Sequence, residues 1–394
     1  MTELWQTSVG RVLIASVLGL AVATAVGLAV LWPSGPGREL PPDTRLPTDT
    51  ETAKVERVIE KPCAGVPGST CRTIEFTLRS GPEEGRLTSF ELEAPPPLDP
   101  EIDVGDSIRV AALANVPGVE RSYVFADFDR RPPMIWLAIA FAALVVLFGR
   151  FRGAMALVGL IASLVIVLVF IVPAIGDGEP ALAVAVVGSL AVMLATISLA
   201  HGLGVKSLTA MLGTGASLLL VALLAFVFTN AAHFTGISSD QATALSYGLG
   251  ISLEGLLLAG MVIGALGVLD DITVSQASTV LALRAANPDL RVRSLYARAT
   301  DVGRDHLSAA VNTLVLAYAG GALPILLIFT ARGIGFGEAL NFEIVARQVV
   351  AMLVGSIGLI AAVPLTTGLA SLLAVRLPVD LMPVSDADHA GHTH

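Results

Sequence analysis

Eight runs of about 20 apolar residues, the length needed to cross a hydrocarbon core about 30 Å thick, recur through this chain of 394 residues. They lie at residues 9–32, 134–149, 153–172, 181–200, 207–228, 248–269, 307–330 and 348–373, the second being the shortest. A backbone in lipid must satisfy its own N–H and C=O groups, so each run is expected to form a transmembrane α-helix. Composition agrees. Charged residues make up 14% and hydrophobic residues 54% of the chain, against about 25% charged in a soluble domain whose surface must meet water. An ordinary soluble fold is excluded.

Orientation follows from Lys and Arg in the short loops, because long external domains translocate largely regardless of charge. With the N-terminus inside, the inner loops hold Arg150, Arg152, Lys206, Arg284, Arg291, Arg293, Arg298 and Arg304, and the outer loops hold Arg332 and Arg347. Both termini are therefore expected in the cytoplasm, with residues 33–133 outside. The first run is too long for a signal-peptide core and no small-residue cleavage site follows it, so it reads as an uncleaved anchor over residues 1–32. A Pro-rich linker (33–52), a β domain (53–131), a seven-helix bundle (132–376) and a disordered tail (377–394) complete the expected organisation.

Five short β-rich runs occupy the external stretch, at 54–59, 72–78, 87–92, 107–111 and 123–128. In the second, Ile74, Phe76 and Leu78 alternate with Thr73, Glu75 and Thr77, the period of a half-buried strand. Gly81-Pro82-Glu83-Glu84-Gly85 supplies the turn into the third. Five strands in so few residues suggest a small antiparallel barrel or OB-like sheet. The expected fold is thus an α-helical membrane bundle of about eight transmembrane helices with an all-β domain inserted after the first. The two cysteines, Cys63 and Cys71, flank a Pro/Gly/Ser-rich loop in this domain. An oxidising exterior favours their pairing, which would stabilise the domain by about 2–3 kcal/mol on the chain-entropy argument.

Polar residues inside apolar runs are the functional candidates, because ionisable groups are costly in hydrocarbon. Gly260, Gly264 and Gly267 form one stripe of the sixth run, which ends in Asp270 and Asp271. Small residues at this spacing allow close helix packing, and Asp271 falls about 20° from Gly260 at 100° per residue. Asp271 is therefore expected to face the packed interior, with Asp270 turned away. Two acids at a helix C-terminus oppose the macrodipole, so either the helix continues through Gln276 or the carboxylates have a partner. A hydrated interfacial pair is the competing reading.

In the seventh run, Asn312 and Thr313 lie near the level of Asp271, and Asn312 serves either a polar route or helix packing. Asp305 reads as the N-cap of that helix, and Arg304 as a partner for either acid. Glu254, in the outer half of the sixth run, is about 24 Å along the helix from Asp270, with Arg347 or Arg332 as a possible counter-ion. Pro324 and Pro364 interrupt two runs, and Thr366-Thr367 follows the latter. His201 and His233 stand at opposite membrane faces without a cluster of further ligands, and the tail histidines are terminal, so no metal or other cofactor is expected. The sequence has no phosphate-binding Gly-rich loop ending in Lys-Ser/Thr, no H-E-x-x-H and no nucleophile elbow, so no enzymatic activity is expected. No basic tract points to nucleic acid; net charge is −9.

The segments Gly264-Ala-Leu-Gly267-Val-Leu-Asp270-Asp271-Ile-Thr-Val-Ser275-Gln-Ala-Ser278, Val302-Gly-Arg-Asp305 and Asn312-Thr313-Leu-Val-Leu-Ala-Tyr318-Ala-Gly320 resemble the YibE/F-like family of bacterial membrane proteins. The likeness extends from the external sheet through the last span. It implies a multi-pass architecture and carries no established biochemical role. A looser similarity of the Asp-containing hairpin to SecD/SecF-type and resistance-nodulation-division permeases favours proton-linked movement. The expected function is a secondary permease or proton-linked transport factor. The alternative is a membrane-anchored assembly protein whose external β domain binds a partner. Beyond the lipid bilayer, the expected partners are an extracytoplasmic protein and further copies of the chain.

Overall fold

The computed structural model describes residues 2–35, 50–62, 70–92, 100–113, 121–237 and 250–378. The loop carrying Cys63, most of the expected linker and the tail lie outside the described residues. The chain forms two compact units, residues 41–144 and the remainder.

The first unit holds five strands, β1 (Thr50–Pro62), β2 (Thr70–Leu78), β3 (Leu87–Leu92), β4 (Ser107–Ala112) and β5 (Tyr123–Phe128). They form one antiparallel sheet in the order β3-β2-β1-β4-β5. The edge strands β3 and β5 approach each other, so the sheet curls into a half-barrel. The alternation seen in the sequence sets its core: Ile74, Phe76 and Leu78 are fully buried with Val55, Ile108, Val110 and Tyr123. Val55 pairs with Phe76, and a register shift between Val55 and Arg57 bends β1. Cys71, on β2, is buried and disulfide-bonded, and the sequence contains one other cysteine, Cys63. The Tyr123 hydroxyl donates to Glu83 at 3.0 Å. Burial, followed by that bond to an acid, pushes the Tyr123 phenol up to about 12.

The second unit is helical. After the short α1 (Thr2–Gln6) come α2 (Ser8–Val30), α3 (Arg131–Ile166, whose N-terminal part belongs to the first unit), α4 (Val172–Gly176), α5 (Ala181–His201) and α6 (Val205–Ala231). Then follow α7 (Leu253–Ala286), α8 (Val292–Ala331), α9 (Phe336–Ala339) and α10 (Glu343–Arg376). A π-helical turn at Val167–Ile171 joins α3 to α4. Among the described residues seven helical stretches are long and apolar enough to cross a membrane. Eight were expected; the count differs because the second and third runs, read as two spans, are continuous here in one stretch, Arg131–Gly176. At 1.5 Å per residue that stretch would span about 69 Å if straight, but it breaks at Arg150 (φ 50°, ψ −131°). Just beyond the break, a Cβ on Gly153 would lie 2.2 Å from the Val145 carbonyl oxygen, so only glycine fits.

Local chemistry fixes the helix starts. Thr7 caps α2 by accepting from the Gly10 N–H at 2.9 Å, and Ser252 caps α7 by accepting from the Gly255 N–H at 3.1 Å. Glu254 occupies the first turn of α7, where the positive end of the helix dipole favours an acid. Glu343, in the first turn of α10, accepts from the Thr235 N–H and hydroxyl, tying that helix to the segment after α6. Asp305 is no N-cap. The helix begins at Val292, with Arg291 at the N-cap position making no side-chain cap bond, and Asp305 lies exposed in its interior.

Helix α7 is the centre of the bundle, packed against α5, α6, α8 and α10. Close approach occurs at glycines other than the expected stripe. A Cβ on Gly213 of α6 would lie 2.2 Å from the Thr366 hydroxyl of α10, one on Gly358 of α10 2.2 Å from Val221 of α6, and one on Gly303 of α8 2.7 Å from the Gln276 amide of α7. At Gly260 and Gly267 an added Cβ meets nothing within 4 Å, and at Gly264 only the Tyr318 hydroxyl at 3.2 Å. The stripe is therefore an open face of α7 rather than a packing seam. Gly213→Ala is accordingly expected to destabilise the full chain by about 1–3 kcal/mol through overpacking, whereas Gly260→Ala and Gly267→Ala should be neutral or gain up to about 1 kcal/mol from helix propensity. Thermal melts in detergent read the difference.

Candidate functional site

Rotation of α7 decides which acid enters the bundle. Because the glycine stripe faces outward, the phase inferred from it is turned, and Asp270 takes the inward position expected of Asp271. Asp271 is exposed. The helix continues to Ala286, so neither acid sits at a C-terminus, and Asp270 also has a partner. The Thr196 hydroxyl of α5 reaches Asp270 Oδ2 at 3.0 Å, sharing its one proton with the Val192 carbonyl of its own helix at 2.9 Å. Oδ1 is buried and has no hydrogen-bond partner among the described residues. Thr214 of α6 also faces this carboxyl, but its hydroxyl is engaged at 2.5 Å with that of Thr273, which donates to the Asp270 carbonyl at 3.1 Å.

Asp270 borders a cleft of about 1070 Å³ at the end of the bundle where α5 turns into α6. One wall is a stripe of α7, on which Val274, Ser275, Ser278, Thr279 and Ala282 follow the two acids. The opposite wall is the part of α3 after the break, with Arg152, Ala156, Gly159, Leu160 and Ser163 at helical spacing. Thr196, Ile197, Ala200 and His201 of α5 and Lys206 of α6 close the site between them. Helix α3 lies against α5 at Gly159, where a Cβ would make an ordinary contact with the Thr196 Cα at 3.6 Å. The same α5 position thus contacts both walls. His201 lies within electrostatic range of Lys206, Asp271 and Arg152.

Beyond this cleft, α7 buries Gln276, which is 1% exposed. Its Oε1 accepts from the fully buried Thr367 hydroxyl at 2.9 Å. The Thr366-Thr367 pair after Pro364 therefore packs helices together. It lines no part of the cleft.

Other candidates fall elsewhere. Asn312 and Thr313 are exposed on α8, and the Thr313 hydroxyl donates back to the Ala309 carbonyl. Neither joins the cleft lining. Arg304 pairs with Asp301 one turn earlier at 2.9 Å, both exposed, and not with Asp270 or Asp271. Glu254 lies near the far end of α7, away from the lining. No group of three or more potential metal ligands occurs among the described residues. Sequence reasoning missed Arg152, Thr196 and Lys206 as site residues. Thr196 was visible only as a hydroxyl in an otherwise apolar helix.

A family profile described as YibE/F-like protein matches residues 137–376. This chain belongs to the YibE/F-like family. The YibE/F-like match takes in every helix from α3 to α10 and hence the whole cleft, while the external sheet, expected to share the likeness, lies before it. Together with its apolar helices, membership makes the chain a multi-pass membrane protein. Neither curated proteins nor solved structures gave a match.

Thr196→Val keeps the side chain's shape and removes the donor to Asp270, leaving a second carboxylate oxygen unpaired. It should lower stability by about 1–3 kcal/mol, and Thr196→Ser should restore it. Equal melting of wild type and Thr196→Val in detergent would show that the bond carries no weight.

Proposed function

We propose that this YibE/F-like protein is a secondary permease or proton-linked transport factor in which Asp270 carries the proton. The observation that supports this is a carboxylate in the middle of a bundle helix, with one oxygen held by Thr196 and the other buried and unpartnered beside a cleft. Such a group costs several kcal/mol to keep charged and dry, and the cost is relieved by a proton or a ligand. Alternating protonation of Oδ1 then couples the carboxyl to whatever fills the cleft.

The Lys and Arg bias supports a cytoplasmic cleft, since Arg150, Arg152 and Lys206 cluster at that end. Asp271, exposed at the mouth, tunes the local field. No bond-making chemistry is assigned to the protein, and no cofactor is required by this reading.

A second reading draws on the β domain. It is a compact unit with its own core, and it leaves Ile59, Leu87, Val104 and Val124 exposed. These features suit an extracytoplasmic protein partner, with the bundle as its anchor.

Everted membrane vesicles energised to an internal acid pH, then challenged with the small-molecule fraction of a cell extract, separate the two. Solute-dependent collapse of the gradient should fall by about tenfold or more, at least about 1.4 kcal/mol, in Asp270→Asn and much less in Asp271→Asn. Equal collapse in wild type and Asp270→Asn would contradict the proton role and leave the anchor reading.

A further inference from the structure

The α3 wall of the cleft is built differently from the α7 wall opposite it. Residues 151–166 lie between two irregularities of the helix, the non-helical Arg150 (φ 50°, ψ −131°) and the π-helical turn Val167–Ile171. Between them only Gly153 and Gly159 are buried, and among the described residues no other helix packs along this segment. Immediately beyond it, Phe170, Ile171, Ala174 and Ile175 are buried. We infer that residues 151–166 are a hinged gate that pivots on the π-helical turn and closes the cleft over Asp270. The motion stands on the helix geometry alone; its use in transport rests on the proposed proton role of Asp270.

The two ends of the segment differ in what holds them. At the π-helical turn and beyond, the chain is fastened in three places. A Cβ on Gly188 of α5 would lie 2.5 Å from the Ile171 side chain, so the turn sits directly on α5. The Trp32 ring lies 6.0 Å from that of Phe170, and the Gly35 N–H donates to the Asp177 carboxylate at 2.9 Å. At the other end, Arg150 holds a backbone conformation that residues with a side chain rarely adopt. The segment therefore does not continue the preceding helix as one rigid rod. It is an arm with a fixed foot. Its outward face, with Val158, Ile161, Leu164 and Val165 exposed, is turned to lipid, so swinging the arm breaks little packing between helices.

A π-helical turn widens the hydrogen-bond step by one residue, here Val172 N–H to the Val167 carbonyl, an irregularity frequent at functional sites. Pro173 follows at once and has no N–H to give to the carbonyls of the turn. Bending there swings Ala156 and Leu160 towards Val274, Ser275 and Ser278 of α7. Closure removes water from the cleft beside Asp270, whose Oδ1 already has no hydrogen-bond partner among the described residues. An ionised carboxylate opposes that loss of water, whereas a neutral one permits it. Gate and charge are thereby linked: neutral Asp270 favours the closed arm and ionised Asp270 the open one.

Pulsed dipolar spectroscopy on the full chain in lipid nanodiscs, with the native disulfide intact, tests the motion. Spin labels on Ile161→Cys of the arm and Leu219→Cys of α6 should give two distances. Labels on Val172→Cys, past the turn, and Leu219→Cys should give one; all three positions are exposed. Asp270→Asn should change the ratio of the two Ile161/Leu219 distances by about tenfold, and Asp271→Asn should leave it as it is. On the facing walls, Ala156→Cys with Ser275→Cys should form a disulfide under mild oxidation, which requires Cα atoms within about 7 Å. That bond should form faster by about tenfold in Asp270→Asn. In everted vesicles it should abolish the solute-dependent gradient collapse until reductant is added, with wild type treated alike to control for the native disulfide.

A single Ile161/Leu219 distance in wild type and Asp270→Asn alike overturns the gate. Two distances for both label pairs put the pivot elsewhere and overturn the hinge at the π-helical turn. Failure of the disulfide to form overturns closure onto α7, and an unchanged distance ratio in Asp270→Asn overturns the link to charge. Gradient collapse that persists with the disulfide formed overturns the gate's role in transport. Gradient collapse unaffected by Asp270→Asn, alongside two Ile161/Leu219 distances, would fail the transport reading and leave the gate standing.

Discussion

The cleft of the membrane bundle is organised around a single half-buried carboxylate, one of whose oxygens is shut off from water. Asp270 sits on the helix that packs against four others, and its Oδ2 accepts from one hydroxyl of α5. Keeping such a group inside a helical bundle demands a polar neighbour at an atomically defined position. Thr196 is that neighbour, and α3, the opposite wall of the cleft, meets the same turn of α5 at Gly159. The architecture around Asp270 therefore creates both the bond and the open space beside it.

The broad plan was legible because apolar length and strand alternation are strong local signals. All five strands form where β-rich runs were read, and Ile74, Phe76 and Leu78 point into the core as their alternation required. Helix phase was harder. The rotation of α7 was judged from Gly260, Gly264 and Gly267 on the premise that small residues mark a seam, but those positions are open, and the close approaches occur at Gly213, Gly303 and Gly358. One misjudged face exchanges neighbouring residues, so Asp271 was expected where Asp270 lies.

The remaining differences have the same character. Asp305 and Arg304 resemble a helix start, yet α8 begins at Val292 and carries its charged first turns onward into the apolar run. The break at Arg150 falls between the second and third apolar runs, where two separate spans were read, and it puts Arg152 at the edge of the cleft. Thr196 and Lys206 meet Asp270 only through contacts between distant helices, which spacing within one segment does not encode. Clefts are properties of helix pairs. Their lining is read from packing.

The most direct measurement of the central claim is the reactivity of single cysteines placed at the two acid positions. In membranes, with the bonded Cys71 unreactive, Asp271→Cys should be modified rapidly by a small charged thiol reagent. Asp270→Cys should react from the same side but more slowly by about tenfold or more. Faster modification at 270 than at 271, or reactivity at 270 from the opposite side of the membrane alone, would contradict the account.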